Sequence, residues 1–185
     1  MLGGQYQKDL NFTVNLAREY LHSEEVKAVG DGKDAWIFDI DETTLSNIGY
    51  YEQNDFGGAP YNHTKYFTWV MEKKATAINE TLVFYNELRT IGFSVFFITG
   101  RRYMYRDVTA DNLLRAGYKD WAGLLMREPD DKPSRVKNLK VTKRGQLEKD
   151  GYRIWGNMGD QWSDITGDPV GSRTFKLPNP MYYVG

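Results

Sequence analysis

The stretch "AWIFDIDETTLSN" (residues 35–47) decides how the rest of this sequence is interpreted. Ala35 to Phe38 form a short apolar run, and Asp39 and Asp41 follow it, one residue apart. A run of this kind is typical of a strand at the centre of a parallel sheet. Burying a carboxylate is costly unless it is paired or bound to a metal. A strand that ends in two aspartates therefore predicts a site at that end.

The composition is that of a globular protein with one full core. The chain has 185 residues, of which 41% are hydrophobic and 26% are charged, with a net charge of −1. Because no long run of one charge sign occurs, nucleic acid and anionic membrane are not expected as partners. The chain has no cysteine, which excludes a disulfide framework and a thiol nucleophile. No stretch approaches the apolar length of a membrane span.

Strand and helix patterns alternate along the chain. Leu10, Val14, Ala17 and Leu21 have the spacing of a first helix. After the first strand, the patterns predict a helix ending at Gly92, a helix in 105–117 and a helix from about Val141 to Lys149. The strands predicted between and after these helices are "FSVFFITG" (93–100), which ends in Thr99-Gly100, "GLLMR" (123–127), a strand in 152–159 and a last strand in 173–180. This order predicts an α/β fold with a central parallel sheet and helices on both faces, and ligands in such folds bind at the carboxyl ends of the strands.

Two segments stand apart from this alternation. Residues 48–74 are aromatic and glycine-bearing at first and then helical, and we interpret them as an insertion outside the main layer. The basic segment "KPSRVKNLKVTKR" (132–144) is expected to be a solvated loop and helix, with one lysine reaching inward.

Four carboxylates follow two of the predicted strands, and at least three of them would meet at one point if those strands are neighbours. Asp39 and Asp41 follow the first strand, and Asp160 and Asp164 follow the strand "YRIWGN". Like charges this close need either protonation or a hard divalent cation. Oxygen ligands favour Mg²⁺ over zinc or copper, and the chain's two histidines lie in unrelated segments. The motif D-x-D-x-T taken alone has a plainer interpretation, a helix N-cap and its neighbour.

Mg²⁺ held by carboxylates commonly takes a substrate phosphate oxygen, which makes phosphoryl transfer the natural chemistry. Asp39 is the candidate nucleophile, and Asp41 is the candidate acid for the leaving oxygen and base for water. Thr99 offers a hydroxyl to the phosphoryl oxygens, and a lysine would neutralise their charge. Gly100 and Arg101, directly after Thr99, are candidates for substrate binding, although Arg101 could equally form a structural ion pair.

These motifs resemble the haloacid dehalogenase (HAD) superfamily and, within it, the branch of plant acid phosphatases and vegetative storage proteins. The first motif is "WIFDIDETTLSN" (36–47), the second is "FFITGRR" (96–102) with Arg106, Thr109 and Asn112, and the fourth is "GNMGDQWSD" (156–164). The similarity extends from "GQYQKDL" (4–10) to "LPNPMYYVG" (177–185), which is nearly the whole chain.

The resemblance implies a Rossmann-like HAD fold, Mg²⁺ as cofactor and hydrolysis of phosphomonoesters through an aspartyl-phosphate. By position, Asp39 is the nucleophile and a metal ligand, and Asp41 is the acid/base and binds the metal through its backbone carbonyl. Thr99 corresponds to the phosphate-binding threonine and Asp160 to a metal ligand. The remaining assignments stay open: Asp164 is either a second ligand or a support, and the third-motif lysine is Lys140, with Lys143 as the alternative.

Some features leave the function open. The family often has an acidic residue where this chain has Tyr103, and the segment near Asn54 and Phe56 departs from the usual pattern. We expect one HAD-like phosphatase domain over residues 1–185, with a small cap-like insertion around 48–74 and a fairly open site. The alternatives are a storage or defence protein with little turnover, and a site repurposed for other chemistry on a phosphorylated or diphosphate substrate.

The partner and location predictions are brief. We expect a small phosphorylated substrate, no nucleic acid and no membrane, and we leave a homodimer open. The start "MLGGQYQKDL" lacks the apolar region of a secretory signal, whereas three N-glycosylation sequons, at Asn11, Asn62 and Asn79, hint at secretion. Together with the resemblance, they predict a secreted or vacuolar protein.

Overall fold

The computed structural model describes residues 4–131 and 135–184. Its strands are β1 (Asp34–Phe38), β2 (Leu45–Ser46), β3 (Thr76–Ala77), β4 (Ser94–Arg102), β5 (Gly123–Arg127), β6 (Arg153–Gly159) and β7 (Arg173–Lys176). Its helices are α1 (Gly4–Leu21), α2 (Ile48–Glu52), α3 (His63–Glu72), α4 (Asn79–Thr90), α5 (Arg106–Arg115), α6 (Val136–Lys149) and α7 (Trp162–Ile165). Within the described ranges, no helix has both the length and the apolar character needed to cross a bilayer.

Five parallel strands form the main sheet, in the order β5-β4-β1-β6-β7. The predicted parallel sheet is confirmed, and β1 pairs with β6, which was the condition for a carboxylate cluster. The carboxyl ends of parallel strands meet at one edge of the sheet. This topology therefore brings the residues that follow β1 and β6 to one edge, beside the end of β4.

The two faces of the sheet carry separate cores, because successive side chains of a strand point to opposite faces. Trp36 and Phe38 pack with α1, α4 and α5, and the ring of Trp36 stacks on Phe175 at 5.6 Å between centroids. Ala35 and Ile37 point to the other face and pack with Leu147 and other residues. Leu147 belongs to α6, so helices cover both faces, as predicted.

The segment 48–74 lies between β1 and α4, and it contains α2, a 3₁₀ turn at Asp55–Gly57 and α3. The predicted helix in its second half is confirmed by α3, whereas its start, predicted to be irregular, forms the short helix α2. A small antiparallel sheet of β2 and β3 joins the two flanks of the segment, with Leu45 opposite Ala77. This sheet was not predicted, because strands of two residues carry no periodic pattern.

Three predicted boundaries are wrong. Strand β7 ends at Lys176, whereas the last strand was predicted in 173–180. Strand β4 continues to Arg102 instead of ending at Thr99-Gly100, because Arg102 still pairs with Arg127 of β5 beyond an irregularity. Helix α6 begins at Val136, about a turn and a half before the expected start near Val141. Residues 132–134 of the basic segment lie outside the described residues.

A buried acidic residue anchors the amino end of β1. Asp34 is 2% exposed, and its carboxylate accepts hydrogen bonds from the Arg153 guanidinium (2.9 Å), the Trp155 indole (2.8 Å) and the backbone N–H groups of Val29 and Gly30. Burial alone would raise the pKa of Asp34, but these donors lower it to about 2. The ionised carboxylate therefore stabilises the fold.

Replacing Asp34 with asparagine is expected to lower the free energy of unfolding at pH 7 by about 2 kcal/mol, the value of a pKa displaced from about 3.9 to about 2. Because the folded pKa is the lower one, this stabilisation is complete above about pH 4 and is lost as the pH falls toward 2. Urea unfolding of Asp34→Asn and wild type at pH 7 and pH 3 measures the difference. Asp31→Asn is the control, because Asp31 binds the same Arg153 from an exposed position. An equal effect from both variants would contradict the argument.

Candidate active site

Three carboxylates meet at the carboxyl edge of the sheet. Asp39 follows β1, while Asp160 and Asp164 follow β6, and all three are buried. One carboxylate oxygen of each lies within 4.8 Å of the others, which is close enough for all three to share one ion. Asp160 and Asp164 are brought near Asp39 because β6 is the direct neighbour of β1.

A buried lysine lies within this cluster. The Lys140 ammonium, on α6, donates to the carboxylates of Asp39 and Asp164, the latter at 2.5 Å. Burial would lower the pKa of Lys140, but the charges of Asp164 and Asp39 raise it, so the side chain stays protonated. Lys143 points elsewhere and pairs with Asp131 at 3.2 Å. Of the two lysines considered, Lys140 is the one that contacts the cluster.

The cluster carries more negative than positive charge. Three carboxylates and one ammonium sum to −2 when all are ionised, and every member is buried. Burial and the neighbouring carboxylates outweigh Lys140 and raise the pKa of Asp39 well above its usual range. Burial, together with the charge of Asp164, raises the pKa of Asp160 to about 6. One divalent cation would balance the net charge of −2 that the ionised cluster carries.

Asp164 has both carboxylate oxygens engaged. Its Oδ1 accepts from Lys140, and its Oδ2 accepts from the Gln161 backbone N–H at 2.9 Å, closing a capping box at the start of α7. These contacts fit the support role for Asp164, because one of its oxygens orients Lys140. Its place in the cluster fits direct ligation equally well.

The Asp41 carboxylate lies apart from the other three. It accepts from Arg101 at 2.6 and 3.1 Å, from the Tyr66 hydroxyl at 2.6 Å and from the Asn47 amide at 2.9 Å. Burial opposes ionisation, but Arg101, with Tyr66 and Asn47, holds the pKa of Asp41 below its usual range.

Arg101 is 4% exposed, and each of its three guanidinium nitrogens donates to a protein group. It forms the ion pair with Asp41 and donates to the Thr109 hydroxyl at 3.2 Å. Of its two predicted roles, this geometry fits the structural ion pair. Gly100, beside it, lines the cavity described next.

A cavity of about 630 Å³ opens onto the cluster. Asp39, Asp41, Thr99 and Lys140 all line it, so the predicted catalytic residues share one space. Thr99 is buried, and its hydroxyl accepts from the Arg101 backbone N–H at 3.2 Å while its own hydrogen can be donated. Six tyrosines complete much of the wall: Tyr50, Tyr51, Tyr61, Tyr66, Tyr182 and Tyr183.

Two charged residues near the site were missed by sequence reasoning. Arg144 was assigned to a solvated face, but it is 1% exposed and donates to the backbone carbonyls of Asp164, Thr166 and Pro169. Its spacing of four residues from Lys140 places both on one helix face, and this signal was available in the sequence. Glu42 is fully buried, and burial raises its pKa to about 8. Nothing in its local pattern distinguishes it from an exposed glutamate.

Comparison with known sequences gives a consistent result. A sequence model of the HAD superfamily, subfamily IIIB (acid phosphatase), matches residues 1–185. Acid phosphatase 1 of Solanum lycopersicum is 40% identical over 184 residues, covering 100% of this chain and 71% of that protein. The stem 28 kDa glycoprotein of Glycine max is 42% identical, covering 98% and 71%. Vegetative storage protein 1 of Arabidopsis thaliana is 37% identical, covering 97% and 66%.

Comparison with solved structures supports the fold. The class C acid phosphatase of Bacillus anthracis, solved with tungstate bound, superposes with a TM-score of 0.80 at 23% sequence identity, covering 99% of this chain and 81% of that one. The sequence comparisons confirm the family predicted from the motifs. The chain belongs to subfamily IIIB of the HAD superfamily, the acid phosphatases.

Proposed function

We propose that this acid phosphatase hydrolyses phosphomonoesters with Mg²⁺ as cofactor and through an aspartyl-phosphate on Asp39. The observation that carries the proposal is the buried cluster at the cavity, whose charge of −2 one divalent cation would balance. Its donors are carboxylate oxygens, with no histidine or cysteine among them, which suits Mg²⁺. Asp39 and Asp160 would hold the ion together with the backbone carbonyl of Asp41. Bound Mg²⁺ supplies positive charge that lets an anionic phosphate approach an anionic nucleophile.

The residues divide the reaction into two displacements. An oxygen of Asp39 attacks phosphorus and the bond to the leaving oxygen breaks, while Asp41 gives that oxygen its proton. Asp41 then takes a proton from water, whose oxygen attacks phosphorus and breaks the bond to Asp39, releasing phosphate. Lys140 holds Asp39 in position, and Lys140 and Thr99 offer donors to the phosphoryl oxygens. Asp41 must carry a proton in the first step, whereas Arg101, against the effect of burial, holds the pKa of Asp41 below its usual range. The protonated fraction therefore grows only toward acidic pH, and we expect activity to rise as the pH falls.

The insertion at 48–74 would act as a small cap of the single domain. It contributes four of the six tyrosines of the cavity wall, Tyr50, Tyr51, Tyr61 and Tyr66. A cap this short suits small or varied phosphomonoesters. A rate profile that favours one substrate by orders of magnitude would count against this part of the proposal.

The direct test is hydrolysis of 4-nitrophenyl phosphate from about pH 4 to about pH 8, with and without chelator. We expect turnover that disappears with chelator and returns when Mg²⁺ is added in excess. A folded protein that binds Mg²⁺ and shows no turnover would overturn the enzymatic proposal. That outcome would favour the storage role, which the name of the Arabidopsis relative supports as the second candidate.

Binding of Mg²⁺ is also expected to stabilise the fold, because it removes uncompensated buried charge. At an Mg²⁺ concentration about 100 times its dissociation constant, the free energy of unfolding should rise by about 2.7 kcal/mol. Thermal or urea unfolding of chelator-treated protein with and without Mg²⁺ measures the effect, and Asp160→Asn should reduce it. A wild-type protein that melts at the same temperature in Mg²⁺ and in chelator would contradict the proposed site.

The cellular setting is proposed from the relatives. Their names include stem glycoproteins and vegetative storage proteins of plants, which supports a secreted or vacuolar location. The homodimer remains a prediction.

A further inference from the structure

The carboxyl-terminal segment 177–184, here called the C-terminal strap, returns to the edge of the sheet that holds the carboxylate cluster. The Leu177 backbone N–H donates to the carbonyl of Gly159 at 2.9 Å, immediately before Asp160. Near the other end, the Val184 N–H donates to the Gln161 side-chain carbonyl at 2.8 Å. The strap is therefore attached on both sides of Asp160.

Within the strap, Asn179 makes a direct contact with Asp160. Its amide nitrogen donates to Asp160 Oδ2 at 2.8 Å, and the Gln161 amide donates to the same oxygen at 2.5 Å. The other oxygen, Oδ1, accepts from the Thr43 hydroxyl at 3.2 Å. The Asn179 amide is itself fixed, because its oxygen accepts from the Met181 backbone N–H at 2.8 Å. Two donors on one oxygen set the rotation of the Asp160 carboxylate.

We propose that Asn179 is a positioning residue for the metal site and that the C-terminal strap orients Asp160 for ligation. The inference rests on the proposed function, since it takes Asp160 as a ligand of Mg²⁺. A residue that donates a hydrogen bond to a ligating carboxylate restricts the orientations of that carboxylate before the metal binds. Removing such a residue commonly weakens the affinity for the metal.

The strap also connects Asp160 to the insertion. The ring of Tyr182 stacks on Tyr51 of α2, with 5.3 Å between centroids and 28° between planes. At Gly57, which has φ of +89°, a Cβ atom would lie 2.5 Å from the Met181 carbonyl oxygen, so the two backbones approach closely. The same segment that holds Asp160 therefore forms part of the cavity wall and packs against the insertion.

The test is titration of chelator-treated protein with Mg²⁺ by calorimetry, comparing wild type with Asn179→Leu. Leucine has a similar size but no donor, so the dissociation constant should rise by about 10- to 100-fold. The Mg²⁺ concentration for half-maximal hydrolysis should rise by the same factor, and added Mg²⁺ should recover the lost activity. If Asn179→Leu does not fold, Asn179→Ser replaces it, because the serine side chain is too short to reach Asp160. The same rise in the dissociation constant for Mg²⁺ is expected for that variant.

Asn112→Leu is the matched control. Asn112 is also buried, and its amide donates to the Ala75 carbonyl at 2.7 Å, away from the carboxylate cluster. This variant should lower the melting temperature but leave the dissociation constant for Mg²⁺ unchanged. Equal dissociation constants for wild type and Asn179→Leu, with hydrolysis intact, would overturn the inference alone. Mg²⁺ binding without hydrolysis in the wild type would overturn the proposed function alone, and absence of Mg²⁺ binding would overturn both.

Discussion

Replacing Asp39 with asparagine is expected to lower turnover of an aryl phosphate by about three to six orders of magnitude, as removal of a covalent nucleophile does elsewhere. Asparagine keeps the size of the side chain but has no anionic oxygen to attack phosphorus. The fold should survive, because the substitution removes one of three like charges and leaves Lys140 its contact with Asp164. Melting temperatures in chelator should therefore be equal to or higher than those of the wild type.

The covalent step can be tested separately from the rate. Acid quenching of wild type during turnover, followed by mass spectrometry, should find a phosphoryl group on the peptide that contains Asp39, and Asp39→Asn should show none. Asp111→Asn is the control, because Asp111 sits in a partly exposed ion pair with Lys73, remote from the cluster. Substantial turnover by Asp39→Asn would remove Asp39 from the role of nucleophile.

The sequence predicted those parts of the fold that depend on patterns of neighbouring residues. The apolar run before Asp39 indicated a central strand, and β1 does occupy the middle of the sheet. Because parallel strands share a carboxyl edge, Asp39 and Asp160 were expected to meet if the strands before them were neighbours, and in the structure those strands are neighbours. The resemblance to the HAD superfamily then assigned a role to each of these residues. The pattern of apolar and charged residues cannot assign such roles.

Helix α6 shows where such patterns fail. Its buried face consists of Leu139, Lys140, Arg144 and Leu147, so half of that face is cationic. A prediction from hydrophobic periodicity assigns cationic residues to the solvent-facing side of a helix. For this reason it missed the first turn and a half of α6 and the burial of Arg144. These side chains can be buried because carboxylates and backbone carbonyls satisfy them, and those partners come from distant parts of the chain.

The surroundings of Asp41 were beyond sequence reasoning for a related reason. Tyr66 reaches Asp41 from the insertion, 25 residues further along the chain, and a tertiary contact of this kind leaves no local periodic signal. Asn47 is only six residues from Asp41, but nothing in the pattern shows that its side chain turns toward it. The role of Arg101 was open for the same reason: one arginine after a strand can face substrate or a neighbouring carboxylate, and packing decides between them.

Replacing Lys140 with methionine is expected to affect both stability and activity. It would leave three buried carboxylates without a cation, and breaking a buried ion pair by removing one partner costs about 3 to 5 kcal/mol. Mg²⁺ should recover part of this loss, so the variant's stability should depend on Mg²⁺ more strongly than that of the wild type. Turnover at saturating Mg²⁺ should still fall by about 100- to 1000-fold, because a donor to the phosphoryl oxygens is missing.

Lys143→Met is the matched control, because it removes the same charge from the same helix three residues later. Lys143 pairs with Asp131, and both side chains retain some exposure, 15% and 22%. A partly exposed pair contributes about 1 kcal/mol or less, so this variant should lose little stability and keep its turnover. Urea unfolding with and without Mg²⁺, together with turnover at saturating Mg²⁺, distinguishes the two lysines. A larger loss of turnover in Lys143→Met would show that the third-motif lysine is Lys143, and that Lys140 serves only to balance the buried carboxylates.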